Sequence, residues 1–251
     1  MAVMTSPPLG SAGMSDVGQR LRDWRTGRRM SQLELSAQAG VSTRHLSFVE
    51  TGRSRPTRDM ILRLAEELDV PLRSRNELLV AGGFAPAYSE SALSGAPLAA
   101  ILESLRNVLK GHEPYPALLV DRNWTMIDAN SAVGRLIEGC APWLLEPPVN
   151  VLRLSLHPDG LAPRIRNLAE WRGHILSRIS EMPDLLEELR SYPGGIDKSN
   201  TGLVVPLRID DLSFFSITSV LGTARDVTLS ELAIESFLPA DETTAATLRR
   251  D

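Results

Sequence analysis

The chain has 251 residues, 43% of them apolar, with 27 basic against 31 acidic side chains for a net charge of −4. That length and apolar content support two modest domains with cores of their own. The single cysteine, Cys140, excludes an internal disulfide, no run of 18 apolar residues is present to span a bilayer, and the chain reads as cytoplasmic.

Residues 1–15 carry no charge and are rich in Pro, Gly and Ser. They lack the basic start and apolar centre of a secretion signal and read as a disordered tail. Val17, Leu21 and Trp24 then stand at helical spacing among arginines. Ser31 caps a second helix that buries Leu35 and Ala39, and Gly40 ends it. Val41 plugs the turn and Ser42 caps a third helix, whose Leu46 and Val49 turn inward. Thr43, Arg44, Ser47 and Phe48 are left facing out. A breaker-rich loop, Thr51 to Pro56, carries Arg53 and Arg55. Met60, Leu64 and Leu68 predict a fourth helix, and Arg73 to Ala81 a fifth, closed by Gly82-Gly83.

A short helix with an arginine-bearing outer face, held by a tight turn, is built to enter the major groove of DNA. Residues 16–58 hold nine arginines against four acids, a +5 island in an acidic chain, which is the footprint of a DNA-reading face. The expectation is an all-α DNA-binding domain over 16–83. Thr43 and Arg44 reach base edges, and Arg44 has the fork that pairs with guanine. Phe48 either touches a thymine methyl or is half buried. Ser42 and Ser47 are counted with these as DNA-binding residues, Gln32 donates to a phosphate, Arg53 and Arg55 hold the backbone, and Glu50 has a packing or ion-pair role.

Residues 84–97 are poor in charge and read as a linker. From Leu98 the helical spacing restarts with Ile101, Leu102, Leu105 and Leu109. Ala117–Asp121 and Trp124–Ala129 predict two strands around an Arg122-Asn123 turn, and Asn130 suits the cap of the next helix. A long helix over Leu161–Ile179 and a shorter one over Asp184–Leu189 flank the break at Met182-Pro183. Strands over Gly202–Ile209 and Leu212–Leu221 flank Asp210-Asp211, and Glu231–Leu238 predicts a fifth. Residues 98–251 are therefore expected to be one α+β domain with an antiparallel sheet. Its strand–turn–strand–Asn–helix opening resembles PAS-type sensor domains. Residues 91–251 carry 15 bases against 21 acids, net −6, which argues against their tracking a phosphate backbone.

Ser31-Gln32, Ala39-Gly40-Val41-Ser42 and Glu50-Thr51-Gly52-Arg53-Ser54-Arg55-Pro56 resemble the run found in lambda-repressor-like, XRE-type helix-turn-helix regulators. The chain departs from that run at Ser36, where the family usually has alanine. Thr43 to Pro56, His112-Glu113-Pro114-Tyr115-Pro116-Ala117, Val120-Asp121-Arg122-Asn123-Trp124 with Asn130, and Asp226 to Asp241 resemble the branch with an MmyB-like ligand-binding domain. The resemblance implies a transcription regulator with a small-molecule cavity, and long-chain fatty acids are the ligand type it suggests.

Nothing in the sequence reads as catalytic. His45, His112, His157 and His174 stand alone, Cys140 has no nucleophile motif, and no Gly-rich phosphate loop follows a strand. No cofactor and no metal are expected, with haem on His112, His157 or His174 as the lesser alternative. Trp124, Trp143, Trp171 and Phe214, with Phe215, supply large apolar walls for a ligand or else ordinary core. An acid head group would need a cation, and Arg172 in the Trp171 helix, with Arg164 and Arg166 beside it, is a candidate, though a solvated face explains all three equally. The partners expected are double-stranded DNA with an inverted-repeat operator, a small molecule and a second copy of the chain. The alternative is a C-terminal domain that serves protein interaction or dimerisation and holds no ligand.

Overall fold

The computed structural model describes residues 17–197 and 204–250. The tail expected over residues 1–15 and the strand start expected at Gly202 lie outside the described residues. In chain order the elements are α1 Val17–Gly27, α2 Gln32–Gln38, α3 Thr43–Glu50, α4 Arg58–Glu67, α5 Leu72–Ala81 and α6 Ala96–Gly111. Then come β1 Ala117–Val120, β2 Met126–Ala129, α7 Val133–Ile137, α8 Val151–Leu156, α9 Leu168–Arg178 and α10 Pro183–Ser191. The chain ends with β3 Leu207–Ile209, β4 Leu212–Val220, α11 Val227–Ser230, β5 Ala233–Pro239 and α12 Glu242–Leu248. It folds as two compact units: one takes the chain as far as Ser91 and then residues 223–230, the other the rest.

In the first unit, α1 to α5 close around Leu21, Leu35, Leu46, Ile61, Leu64 and Leu79, all fully buried. Ser31, Ser42 and Thr57 cap α2, α3 and α4, accepting N–H groups from Glu34, His45 and Met60. Each such cap stabilises its helix by about 1 kcal/mol. The boundary expected at residue 83 is corrected. Asn76 on α5 accepts the N–H groups of Ala87 (2.9 Å) and Tyr88 (3.0 Å) and donates to the Tyr88 carbonyl (2.8 Å), so residues 84–91 are bound into this unit rather than forming a linker.

The segment 223–230 is a second correction, because it was expected within the sensor domain. The Val227 side chain is fully buried and its N–H donates to the Ser89 carbonyl at 2.7 Å. One oxygen of Asp226 accepts the Ser91 N–H (3.1 Å) while the other caps α11 at Leu229, and Thr228 donates to the Ser91 carbonyl (2.7 Å).

The second unit is built on a five-stranded sheet in the order β2-β1-β5-β4-β3, every neighbouring pair antiparallel. The longest pairing joins β4 to β5, from Phe214 opposite Pro239 to Val220 opposite Ala233. α6 buries Leu98, Leu102, Leu105 and Leu109 as their spacing predicts, and packs on β1 and β2. Leu152 and Leu156 of α8, Trp171 and Ile175 of α9 and Leu189 of α10 form a core with Leu207, Ile209 and Phe214 of the sheet.

Several elements differ from the sequence expectation: among the described residues the strand expected over Gly202–Ile209 forms only at Leu207–Ile209, and α8, α11 and α12 were not expected. The helix expected from Leu161 begins only at Leu168, after a 3-10 turn over Ala162–Arg164. Ile165 leaves the helical path to bridge Ile209, so its apolar side chain serves the sheet. Asn130 does not cap α7, whose N-cap is Ala132. Its side chain accepts the Ala117 N–H (3.1 Å) and donates to the carbonyls of Leu109 (3.0 Å) and Tyr115 (2.9 Å), tying the end of α6 to the start of β1.

Candidate nucleic-acid interface and sensor site

The turn between α2 and α3 is set by Gly40, whose φ of +63° lies in the left-handed region glycine enters at little cost. Beyond it, α3 buries Leu46 and Val49, while Arg44 is exposed and Thr43, Ser47 and Phe48 are partly so. The Arg44 guanidinium sits 5.4 Å from the centre of the Phe48 ring, so the two form one cationic, aromatic outer surface. The Ser42 hydroxyl oxygen caps the helix by accepting the His45 N–H at 3.2 Å. Arg53 and Arg55 are exposed in the following loop and form no ion pair among the described residues.

The inner end of α3 is locked. Arg25 on α1 grips Glu50 with two hydrogen bonds, 2.7 and 2.9 Å, and also donates to the Met30 carbonyl at 2.7 Å. Those bonds to Glu50 raise the Arg25 pKa further above neutrality. Gln32 donates to the second Glu50 oxygen at 2.8 Å, so one of its amide hydrogens is committed within the protein. Gly18 permits the close approach of α1: a Cβ there would stand 2.0 Å from the Val49 carbonyl oxygen. The ion-pair role read for Glu50 is present. Its partner Arg25, 25 residues away, carried no sequence signal distinguishing it from its exposed neighbours. Ser36 is buried, donates to the Leu33 carbonyl at 2.9 Å, and shares a 2.8 Å hydrogen bond with the Thr43 hydroxyl.

In the second unit, Trp124 is a bulky residue at φ +62°, a conformation that costs about 1–3 kcal/mol. The Asp121 carboxylate holds the turn by accepting the N–H groups of Asn123 and Thr125, both at 2.8 Å. The Arg178 guanidinium lies 4.6 Å from the Trp124 ring centre and donates to Glu235 (2.8 Å) and Thr218 (3.0 Å). Thr218 in turn donates to Glu235 at 2.6 Å. One turn earlier on α9, His174 stacks at a tilt on Trp171, and burial, then the Arg178 charge, holds its pKa below the usual range. Residues held at such strained backbone angles cluster at active sites, ligand clamps and switch regions. Sequence reasoning named Trp124 but missed Arg178, Thr218 and Glu235; the i, i+4 pair His174–Arg178 was the available signal.

The other residues expected at a ligand site are spread out. Trp171 and Phe214 lie inside the core cluster against which Trp124 packs, with the Trp171 indole donating to the Ser155 hydroxyl at 3.0 Å. Trp143 lies outside that cluster, half exposed, edge-on to His157 with ring centres 4.9 Å apart. Arg172 is buried and donates to the carbonyls of Tyr192 (2.5 Å), Pro193 (3.0 Å) and Arg190 (2.8 Å), closing the end of α10. Among the described residues no helix is long and apolar enough to cross a membrane, and no group of three His, Cys, Asp or Glu side chains is placed to hold a metal.

Residues 21–74 match the helix-turn-helix family model, and residues 101–184 match the MmyB-like transcription regulator ligand binding domain. Among solved structures the chain is similar to the restriction-modification controller protein C.AhdI from Aeromonas hydrophila, at 34% identity over 25% of this chain and 94% of that one, with a TM-score of 0.23. It is also similar to the clp gene regulator ClgR from Corynebacterium glutamicum, at 23% identity over 39% of this chain and 90% of that one, with a TM-score of 0.24. None of the curated proteins compared matches. With one model matching residues 21–74, which hold α2, the turn, α3 and α4, and the other residues 101–184, from within α6 to the start of α10, the chain belongs to the XRE-type helix-turn-helix transcription regulators that carry an MmyB-like ligand-binding domain.

Proposed function

We propose that α3 reads operator DNA in the major groove, that the second unit senses a small apolar molecule, with a long-chain fatty acid as first candidate, and that the protein works as a cytoplasmic homodimer on an inverted repeat. The observation that carries the DNA reading is the polarity of α3. Its inner face is fixed by Leu46, Val49 and the Arg25–Glu50 pair, and its outer face offers Thr43, Arg44, Ser47 and Phe48. Dimerisation follows from size, since one such module buries too little surface for selective binding. For sensing, the support is the match to the ligand-binding family together with the strained Trp124 beside Arg178.

Gel retardation on the protein's own upstream region, with a salt series, tests the DNA reading. Arg44→Ala should relax base preference by about 1–3 kcal/mol at one position. Arg53→Ala should weaken all sequences alike and reduce the salt slope by about 1. If neither change alters binding, the assigned face is wrong. Solvent extraction of purified full-length protein followed by mass spectrometry tests the sensor. A co-purified lipid supports it; an empty domain that also fails to respond to added fatty acid overturns it.

A further inference from the structure

Ser36 occupies the position on α2 that faces the start of α3, and its hydroxyl is only 2% exposed as a residue. A serine hydroxyl has one proton, and here it goes to the Leu33 carbonyl at 2.9 Å. Either oxygen could donate in the 2.8 Å contact with Thr43; with the Ser36 proton on the Leu33 carbonyl, the threonine is the donor. Two things follow for Thr43. In that arrangement its hydroxyl proton is used inside the protein and is not offered to a base. Its side-chain rotamer is also chosen, because a helical threonine divides between two χ1 wells and this bond retains the one that turns Oγ1 toward α2. With Oγ1 turned toward Ser36 the γ-methyl takes another direction, and Thr43 as a residue is partly exposed.

From this geometry we infer that Ser36 is a positioning residue for specificity. By holding Thr43 with its methyl outward and its donor spent, it makes Thr43 a reader of the thymine C5-methyl in the major groove. An alanine at position 36 would free the Thr43 hydroxyl to rotate and donate to purine N7 or O6, broadening the preference at the same base. A threonine methyl against a thymine methyl is an established apolar contact in the groove. Burying one methyl-sized group corresponds to roughly fourfold in affinity per half-site. The inference rests on α3 being the DNA-reading helix.

The experiment uses full-length protein and a random-sequence duplex library. Sequences enriched by the wild type are resynthesised with each thymine replaced in turn by deoxyuridine, which removes only the C5-methyl. One thymine per half-site should show a roughly fourfold loss. Thr43→Val, which keeps the methyl shape without the hydroxyl, should retain that loss, whereas Thr43→Ser should abolish it. Ser36→Ala should diminish it and admit a purine at that position, with unfolding curves confirming that the variant is folded. The inference is overturned if Ser36→Ala enriches the same base with the same deoxyuridine penalty, or if the penalty follows the hydroxyl in Thr43→Ser. A wild type that enriches no sequence at all defeats the DNA reading itself, and this inference with it.

Discussion

Each unit contains one buried glutamate gripped by an arginine, and the two are built differently. In the DNA-binding unit the side chains of Arg25 and Glu50 are 10% and 1% exposed, the grip is bidentate, and Gln32 supplies a third bond. In the sensor unit Glu235 is equally hidden at 5%, but Arg178 is 27% exposed, makes a single bond to it, and leans on an aromatic ring. A closed pair in which all three guanidinium nitrogens donate fixes the orientation of α3. An open pair whose cation still reaches solvent beside a strained tryptophan leaves something for a ligand to compete for. The same chemistry is closed to solvent in one unit and open to it in the other, and the sensing role proposed above rests on the open one.

The difference can be broken by removing one partner from each pair. Arg25→Ala leaves Glu50 buried without its cation and should cost about 3–5 kcal/mol in urea unfolding, with operator binding lost in step with the folded fraction. Glu235→Gln should cost less, about 1–2 kcal/mol, because Arg178 can turn to water. If the two costs are equal, the contrast between a closed and an open pair fails. The same Glu235→Gln variant should change the response to a carboxylate ligand while leaving operator binding without ligand intact. The smallest effect belongs to a third pair, Arg153–Glu188, whose side chains are 37% and 34% exposed. Hydrogen bonding from Arg153 pulls the Glu188 pKa down to about 2, below its ordinary value of 4.5. Its stabilisation is therefore complete above about pH 4.5 and lost as the pH falls toward 2. Solvent screening holds it to about 0.2–1 kcal/mol, so acid unfolding of Glu188→Gln should differ from wild type by that small amount, and less in high salt.

What could be read from the sequence was local. The caps Ser31 and Ser42, the turn glycine Gly40 and the buried faces of α2, α3 and α6 each rest on residues within a turn or two of one another, and all are where their spacing put them. What could not be read depended on distant partners. Asn130 has the chemistry of a cap, and only the positions of Leu109 and Ala117 reveal that it bonds them instead. The apolar spacing of a helix runs through Ile165 because a residue bridging to a strand needs the same side chain. Gln32 looks free to meet a phosphate until Glu50, 18 residues on, takes one of its hydrogens. Ser36 is the instructive intermediate: its departure from alanine was visible, but its bond to Thr43 required the turn to be folded.

The second entry of the chain into the DNA-binding unit sets a timetable for its synthesis. Residues up to Ser91 leave the ribosome first, yet Asp226, Val227 and Thr228, which bind Ser89 and Ser91, follow only after residues 92–222 have been made. At about 5–20 residues per second that interval is on the order of ten seconds. Throughout it, the nascent DNA-binding unit exists without the segment that covers α5 with Val227, and its completion waits on the strand pair β4–β5 that the segment interrupts. A nascent chain stalled just before residue 223 and one stalled well after residue 230 should therefore differ in the protease sensitivity of residues 84–91, although every residue of that stretch is present in both.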